Sequence, residues 1–306
     1  MADLFLHHFD LSPFAEKARL MLGFKRLAWR SVQIPIIMPK PDLTVLTGGY
    51  RKTPVLQIGA DLYCDTRLIA EELERRYPRP TLFPGGHRGL ALALAAWSDR
   101  AFFEPGAGLS MGTNRQGLPQ AVIDDRKAFF NFMDFDRLEA DLGHLTTQLR
   151  AQADLVDQQL ADGRAFLLGD EPSLADIHAY FPLWMTRANV ASAASLLAPF
   201  RHLAPWEARV RAIGHGTRSE ATAAGAHAAS RAAAPAPPRG VDPADALGLA
   251  GGERVVVTPE DYGRVPVEGE LVTLERHEVA VRRSDPRVGT VVVHFPRLGY
   301  RVERAS

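Results

Sequence analysis

Ser12 and Pro13 are the first residues whose types suggest chemistry. They follow the apolar run Leu4-Phe5-Leu6 and precede Phe14, Ala18 and Met21 or Leu22 at helical spacing. A serine at a helix start accepts one of the unpaired backbone N–H groups of the first turn. Proline is favoured at the next position, where its missing N–H costs nothing. A hydroxyl held beside the positive end of the helix dipole can also face outward and donate to an anion. Ser12 therefore has two readings, a plain cap and an anion donor. Thr53-Pro54-Val55-Leu56-Gln57-Ile58 is the second such stretch, because a proline within a strand pattern belongs at the strand's mouth. A cis X–Pro bond would turn the neighbouring N–H and C=O groups outward, and Val55 would then offer its backbone to an extended peptide. On base rates alone a trans bond is expected.

Other constellations have plainer readings. His7-His8 with Asp10 lacks a helical i,i+4 pair or a CxxC, so structural or solvent-facing histidines are expected and no metal site is assigned. Cys64 is the sole cysteine, which excludes an intrachain disulfide and fits a reducing compartment. It stands at a helix start, where a buried, inert thiol is expected. Phe129, Phe130, Phe132 and Phe135 read as core packing, with the lining of an apolar second-substrate pocket as the other reading. No phosphate loop is present.

The elements that must position these residues alternate at first. Residues 3–8 read as a strand, 13–24 as a helix and 29–34 as a strand, followed by a loop punctuated by Pro35, Pro39 and Pro41. Two short strands around the Gly59-Ala60-Asp61 turn and a helix over 64–76 complete a compact α/β layer. From residue 86 the pattern is helical, with one long helix over 87–111. Leu138, Leu142, Leu145, Leu149, Val156 and Leu160 form a buried stripe at spacings of three, four or seven. Ser173-Leu174-Ala175-Asp176 is a capping-box-like helix start, ahead of Ile177, Tyr180, Phe181, Trp184 and Met185. Helix is expected from Pro205 and again, Ala-rich, over 219–233. A Pro/Ala/Gly linker follows, and then short Val-rich strands from Arg254, of a size that suggests an SH3-like or OB-like barrel.

The chain has 306 residues, 46% apolar and 24% charged, as in an ordinary globular protein of two or three domains. Its 36 basic and 36 acidic residues balance, so no global field draws it to nucleic acid or an anionic membrane. No export signal or membrane-length apolar run is seen, and a cytoplasmic protein is expected.

With these pieces in order, roughly residues 3 to 215 resemble a cytosolic glutathione transferase. Ser12-Pro13-Phe14-Ala15-Glu16-Lys17-Ala18-Arg19 is similar to the S/C-P-F-x-x-[KR]-x-R run that opens the first helix in several classes. Lys52-Thr53-Pro54-Val55-Leu56 resembles K-x-P-x-L with its cis proline. Asp65-Thr66-Arg67-Leu68-Ile69 stands where the family usually has E-S-x-x-I, and Ser173 to Asp176 matches the S/T-x-A-D motif of the all-α domain. The resemblance implies an α/β thioredoxin-like glutathione-binding domain over 1–79 and an all-α helical bundle domain over 86–233. Beyond these lie the linker over 234–252 and a small C-terminal all-β domain over 253–306, which falls outside the family's two-domain pattern.

Roles follow from the resemblance. Ser12 would donate a hydrogen bond to the glutathione sulfur. Thr53 and Val55 would flank cis-Pro54, with the Val55 backbone pairing with the cysteinyl backbone of glutathione. Asp65 and Thr66 would bind the γ-glutamyl end, Thr66 partly through a helix start that suits a carboxylate. Lys52 or Arg51 would meet the glycyl carboxylate, and Ser173 and Asp176 are structural. Asp65-Thr66 in place of Glu-Ser keeps the chemistry with a shorter reach. Serine rather than cysteine at position 12 argues for conjugation, dehalogenation or isomerisation over thiol transfer. The expected function is a detoxifying transferase with glutathione as co-substrate, no prosthetic group and an apolar electrophile as second substrate. A homodimer is expected from the family alone. The alternative is a non-catalytic binding or scaffold protein that acts through its C-terminal β domain.

Overall fold

A computed structural model describes residues 3 to 305. The chain divides into two compact units, Met1–Ala15, Leu27–Glu72 and Thr217–Ser306 in one, and Glu16–Arg26 and Leu73–Gly216 in the other. The N-terminal elements are β1 (Leu4–His8), α1 (Pro13–Phe24), β2 (Ala28–Gln33), α2 (Pro41–Thr47), β3 (Val55–Ile58), β4 (Asp61–Cys64) and α3 (Thr66–Arg76). Strand order β4-β3-β1-β2, with β1 and β2 parallel and β3 antiparallel to β1, is the thioredoxin-like layer that the resemblance implied. β1 is buried along its whole length, as a central strand covered on both faces must be. Its two histidines are satisfied there, His7 by Gln57 at 2.8 Å and His8 by Ser31 at 3.0 Å. The Pro-punctuated loop contains a helix the sequence reading did not assign, α2. Pro41 occupies its first turn, and Gly48 closes it at a φ of 74°, a left-handed conformation that suits glycine.

In the other unit, α4 (Arg88–Trp97), α5 (Phe103–Asn114), α6 (Gln120–Phe129), α7 (Leu138–Gln159), α8 (Leu174–Asn189), α9 (Ala193–Leu197) and α10 (Leu203–Arg211) follow in order. The long helix expected over 87–111 is two, joined by a π turn at Ser98–Phe102. Pro105 has no N–H to give the carbonyl four residues back, and the ladder widens just before it. The widened turn presents Asp99, which accepts from Lys17 Nζ at 2.6 Å and lies 3.0 Å from His178 Nδ1. Burial alone would raise this carboxyl, but Lys17 and then His178 more than offset it and hold it below the usual carboxylate range. α8 is the buried centre, and its start is built around Asp176. One carboxylate oxygen accepts from Ser173 N and Ser173 Oγ, and the other from Leu167 N and Trp206 Nε1, at 2.7–2.9 Å.

The remaining elements return to the first unit: β5 (Thr217–Ala221), α11 (Ala223–Ala232), β6 (Gly240–Val241), β7 (Arg254–Pro259), β8 (Val267–Leu274), β9 (Glu278–Asp285), β10 (Gly289–Pro296) and β11 (Tyr300–Arg304). The stretch expected to be helical over 219–233 begins as strand. β5 pairs parallel with β2, and helix starts only after Thr222, whose hydroxyl caps it through Gly225 N. The C-terminal strands form a β module, but it does not close into the barrel their size suggested. Its ladder β11-β7-β8-β9-β10 runs on, through a parallel pairing of β10 with β4, into β3-β1-β2-β5. Val257, Leu271, Val281, Val293 and Phe295 therefore share one core with Leu43, Leu46, Val55 and Leu62. The Pro/Ala/Gly stretch is held as well, by Ala236 N on Asp61 at 2.9 Å and by β6 on β8. At the β10–β4 junction, His294 Nε2 lies 3.0 Å from Asp61 and Nδ1 2.7 Å from Glu278, with the ring stacked on Tyr63.

Candidate active site

Strand register brings three segments to one end of the sheet. His7 at the end of β1 opposes Val55 at the start of β3, and Val55 opposes Cys64 at the end of β4. The residues that follow β1, precede β3 and follow β4 therefore share that end. They are the segments carrying Ser12, Lys52-Thr53-Pro54 and Asp65-Thr66.

Ser12 is 3% exposed. Its N–H donates to Phe9 O at 3.0 Å, and its Oγ accepts from Ala15 N at 3.2 Å. That is a helix cap. Capping uses the oxygen as acceptor and leaves the hydroxyl hydrogen, for which no acceptor occurs among the described residues.

The Thr53–Pro54 bond is cis. Val55 is fully buried between β1 and β4, so both of its edges belong to the sheet. Val55 lies on an inner strand, with His7 of β1 on one side and Cys64 of β4 on the other. Thr53, just before the strand, is the residue whose backbone lies off its end. Lys40 Nζ pins this segment by donating to Arg51 O at 3.1 Å and Thr53 Oγ1 at 3.2 Å.

Asp65 has a φ of 73° and caps α3, its Oδ1 accepting from Arg67 N at 2.9 Å. Thr66 beside it is buried. The other Asp65 oxygen accepts from the Tyr300 hydroxyl at 3.3 Å, and Tyr300 Oη lies 3.0 Å from Tyr50 Oη. Burial first raises both phenols well above their ordinary pKa, and the Asp65 charge adds to it in each, so both stay protonated. Cys64 is fully buried, and burial followed by the Asp65 charge raises its thiol pKa, as suits an inert thiol.

Lys52 forms an ion pair with Asp261, and its ammonium sits 4.5 Å from the centre of the Tyr262 ring. Tyr262 in turn makes an edge contact with Phe14 at 6.4 Å. Asp261, Tyr262 and Tyr300 were not found by sequence reasoning. Asp261 is 209 positions from Lys52 and Tyr300 is 235 from Asp65, and no local motif marks any of them.

Ser173 and Asp176 lie in the helical unit, where Asp176 accepts from Ser173 N and Ser173 Oγ. That unit also holds a cavity of about 440 Å³ lined by Phe132, Met133, Leu138 and Leu145 with Glu104 and His144. Phe130 and Phe132 pack on Phe103. Among the described residues no cluster of His, Cys, Asp and Glu suits a metal ion, and no helix is long and apolar enough to cross a membrane.

Comparison with known proteins agrees with this fold. A solved GST-like protein from Pseudomonas syringae is 40% identical, each chain covered over 100% of its length, with a TM-score of 0.83. FtsZ-localized protein A of Caulobacter vibrioides is 31% identical over 102 residues, which are 32% of this chain; the match spans 45% of that relative's length. The solved FzlA from C. crescentus is 25% identical over 68% of this chain and 88% of its own, with a TM-score of 0.50. The glutathione S-transferase N-terminal domain matches residues 6–81 and the C-terminal domain residues 122–213. With both domains matched in order around this capped serine and cis proline, the chain belongs to the glutathione S-transferase family.

Proposed function

We propose that the protein binds glutathione at this end of the sheet and activates its thiol for attack on an apolar electrophile, as a cytoplasmic, homodimeric transferase. The observation that carries this reading is the Ser12 hydroxyl, buried at the N-terminus of α1 with its oxygen engaged and its hydrogen left to donate. A thiol with a pKa near ~8.5 is mostly protonated at neutral pH. A hydroxyl donor and a helix N-terminus favour S⁻ over SH, so the proton leaves to solvent more readily. The thiolate then forms the sulfur–carbon bond, and the leaving group departs with its electron pair. Thr53 supplies backbone to the cysteinyl unit. Asp65 and Thr66 receive the γ-glutamyl end, and Lys52 lies within the same segment as Thr53.

Calorimetry with glutathione, together with thiolate absorbance against pH, tests the reading on wild type and Ser12→Ala. The wild type is expected to bind, and its bound thiol to ionise about one pH unit lower than in Ser12→Ala, roughly the worth of one charge-assisted hydrogen bond. Equal ionisation in both proteins removes Ser12 from the chemistry.

A second reading has its own support. Lys52 and Asp65 already have partners within the chain, and the name of the Caulobacter relative ties that protein to FtsZ. A family member that works as a scaffold on FtsZ would need no free thiol site. Pull-down with purified FtsZ separates the two: capture that persists in Ser12→Ala, without glutathione binding, favours the scaffold.

A further inference from the structure

Lys52 is one of the two cations, with Arg51, expected to meet a ligand's carboxylate, and a carboxylate from the same chain already sits on it. The Lys52 side chain is 10% exposed and that of Asp261 33%, so solvent screens the pair only partly. The ammonium also faces the Tyr262 ring, a cation–π contact that holds it against the same loop.

That loop, Glu260 to Pro266, is tied down. Glu260 N donates to Gly299 O at 3.0 Å, Arg264 Nε to Asp261 O at 3.1 Å, and Val265 N to Gly263 O at 2.7 Å. Val265 and Pro266 lie against Gly49, where an added Cβ would stand 3.5 Å from Val265 Cγ1. Shifting the backbone that carries Asp261 would break the Glu260–Gly299 bond and the packing on Gly49. A ligand carboxylate that approaches Lys52 must displace Asp261 or settle beside a like charge.

We propose that Asp261 is a specificity-determining residue of the thiol site, its carboxylate competing with a carboxylate of the ligand for Lys52. The site then binds glutathione, but less tightly than a thiol that is neutral at that end. This rests on the reading that glutathione binds here.

The test is calorimetry on the full chain, wild type and Asp261→Asn, with two probes, glutathione and its glycyl ethyl ester. Asp261→Asn is expected to bind glutathione about five-fold more tightly or better, the upper range for a partly exposed ion pair, while affinity for the ester changes less than about two-fold. Equal shifts for both thiols, or weaker glutathione binding by the variant, overturn the inference and leave the site reading standing. Absence of binding by either thiol to wild type and variant, with the fold intact by circular dichroism, overturns the site reading and the inference together. Asp261→Ser, given the same titrations, replaces the asparagine variant if that one does not fold.

Discussion

Asp176→Ala is expected to destabilise the helical unit by about 3–5 kcal/mol, the range for breaking a buried, hydrogen-bonded charge network. Asp176 is fully buried, and its two oxygens accept from Ser173 N, Ser173 Oγ, Leu167 N and Trp206 Nε1. Alanine leaves two backbone N–H groups and an indole N–H without an acceptor in a site that water does not reach. It also removes the capping interaction that starts α8, the helix at the centre of the bundle. Asp176→Asn should cost less, about 1–2 kcal/mol. Its carbonyl can still serve Leu167 and Trp206, and the Ser173 hydroxyl can turn to accept from the new amide. Only Ser173 N then faces a donor. Burial raises the Asp176 pKa in spite of the four donors, so the neutral amide is also spared part of that burial cost. Urea midpoints at unchanged slope measure both variants. A loss under about 1 kcal/mol for alanine would show that the cap is not a structural keystone.

His294→Gln is expected to weaken the junction between β10 and β4 in a pH-dependent way. Burial works against the imidazolium, but hydrogen bonds to Asp61 and Glu278, and then their charges, outweigh it and raise the pKa above 6.5. Arg239 approaches Glu278 at 3.3 Å from a half-exposed position, and Tyr63 stacks on the ring. A raised folded pKa means the contribution is fully present below the unfolded value near 6.5, and is lost as pH rises through the folded value. Near pH 6, glutamine takes the imidazolium from two buried carboxylates, leaving Glu278 with Arg239 and Asp61 with the Ala236 N–H, at a cost of about 2–4 kcal/mol. In alkaline solution the wild type loses the same charge, so the gap between the two proteins closes. Urea melts of both at pH 6 and pH 9 check this, and an equal gap at the two values refutes it.

His7, on the same sheet, sets the opposite limit. Burial, reinforced by His227, lowers its pKa to about 4 against the Gln57 hydrogen bond. It is therefore neutral in the fold. The stability it permits is present above 6.5 and lost as pH falls toward about 4.

Both histidines were visible in the sequence, but not their opposite charge states, which depend on what the sheet places beside them. His7-His8 read as structural or solvent-facing histidines. Only β3 and β2, laid on either side of β1, supply Gln57 and Ser31.

The sequence by itself determined the local elements and the family. Ser12-Pro13 starts a helix, Pro54 opens a strand, and Ser173 with Asp176 caps a helix. Each follows from backbone donors, fixed φ angles and apolar spacing within a few residues. Boundaries failed where a local signal had two readings. Pro41 looked like loop punctuation but opens α2, and the Ala-rich run from Ser219 starts as strand because β2 offers an edge. Tertiary structure alone decided what the C-terminal strands do. Strand pairing is long-range, and nothing near Val292 encodes that it will lie opposite Asp61, more than two hundred positions earlier. That pairing brings Asp261 to Lys52 and Tyr300 to Asp65, and so sets the charge that any ligand of the site must meet.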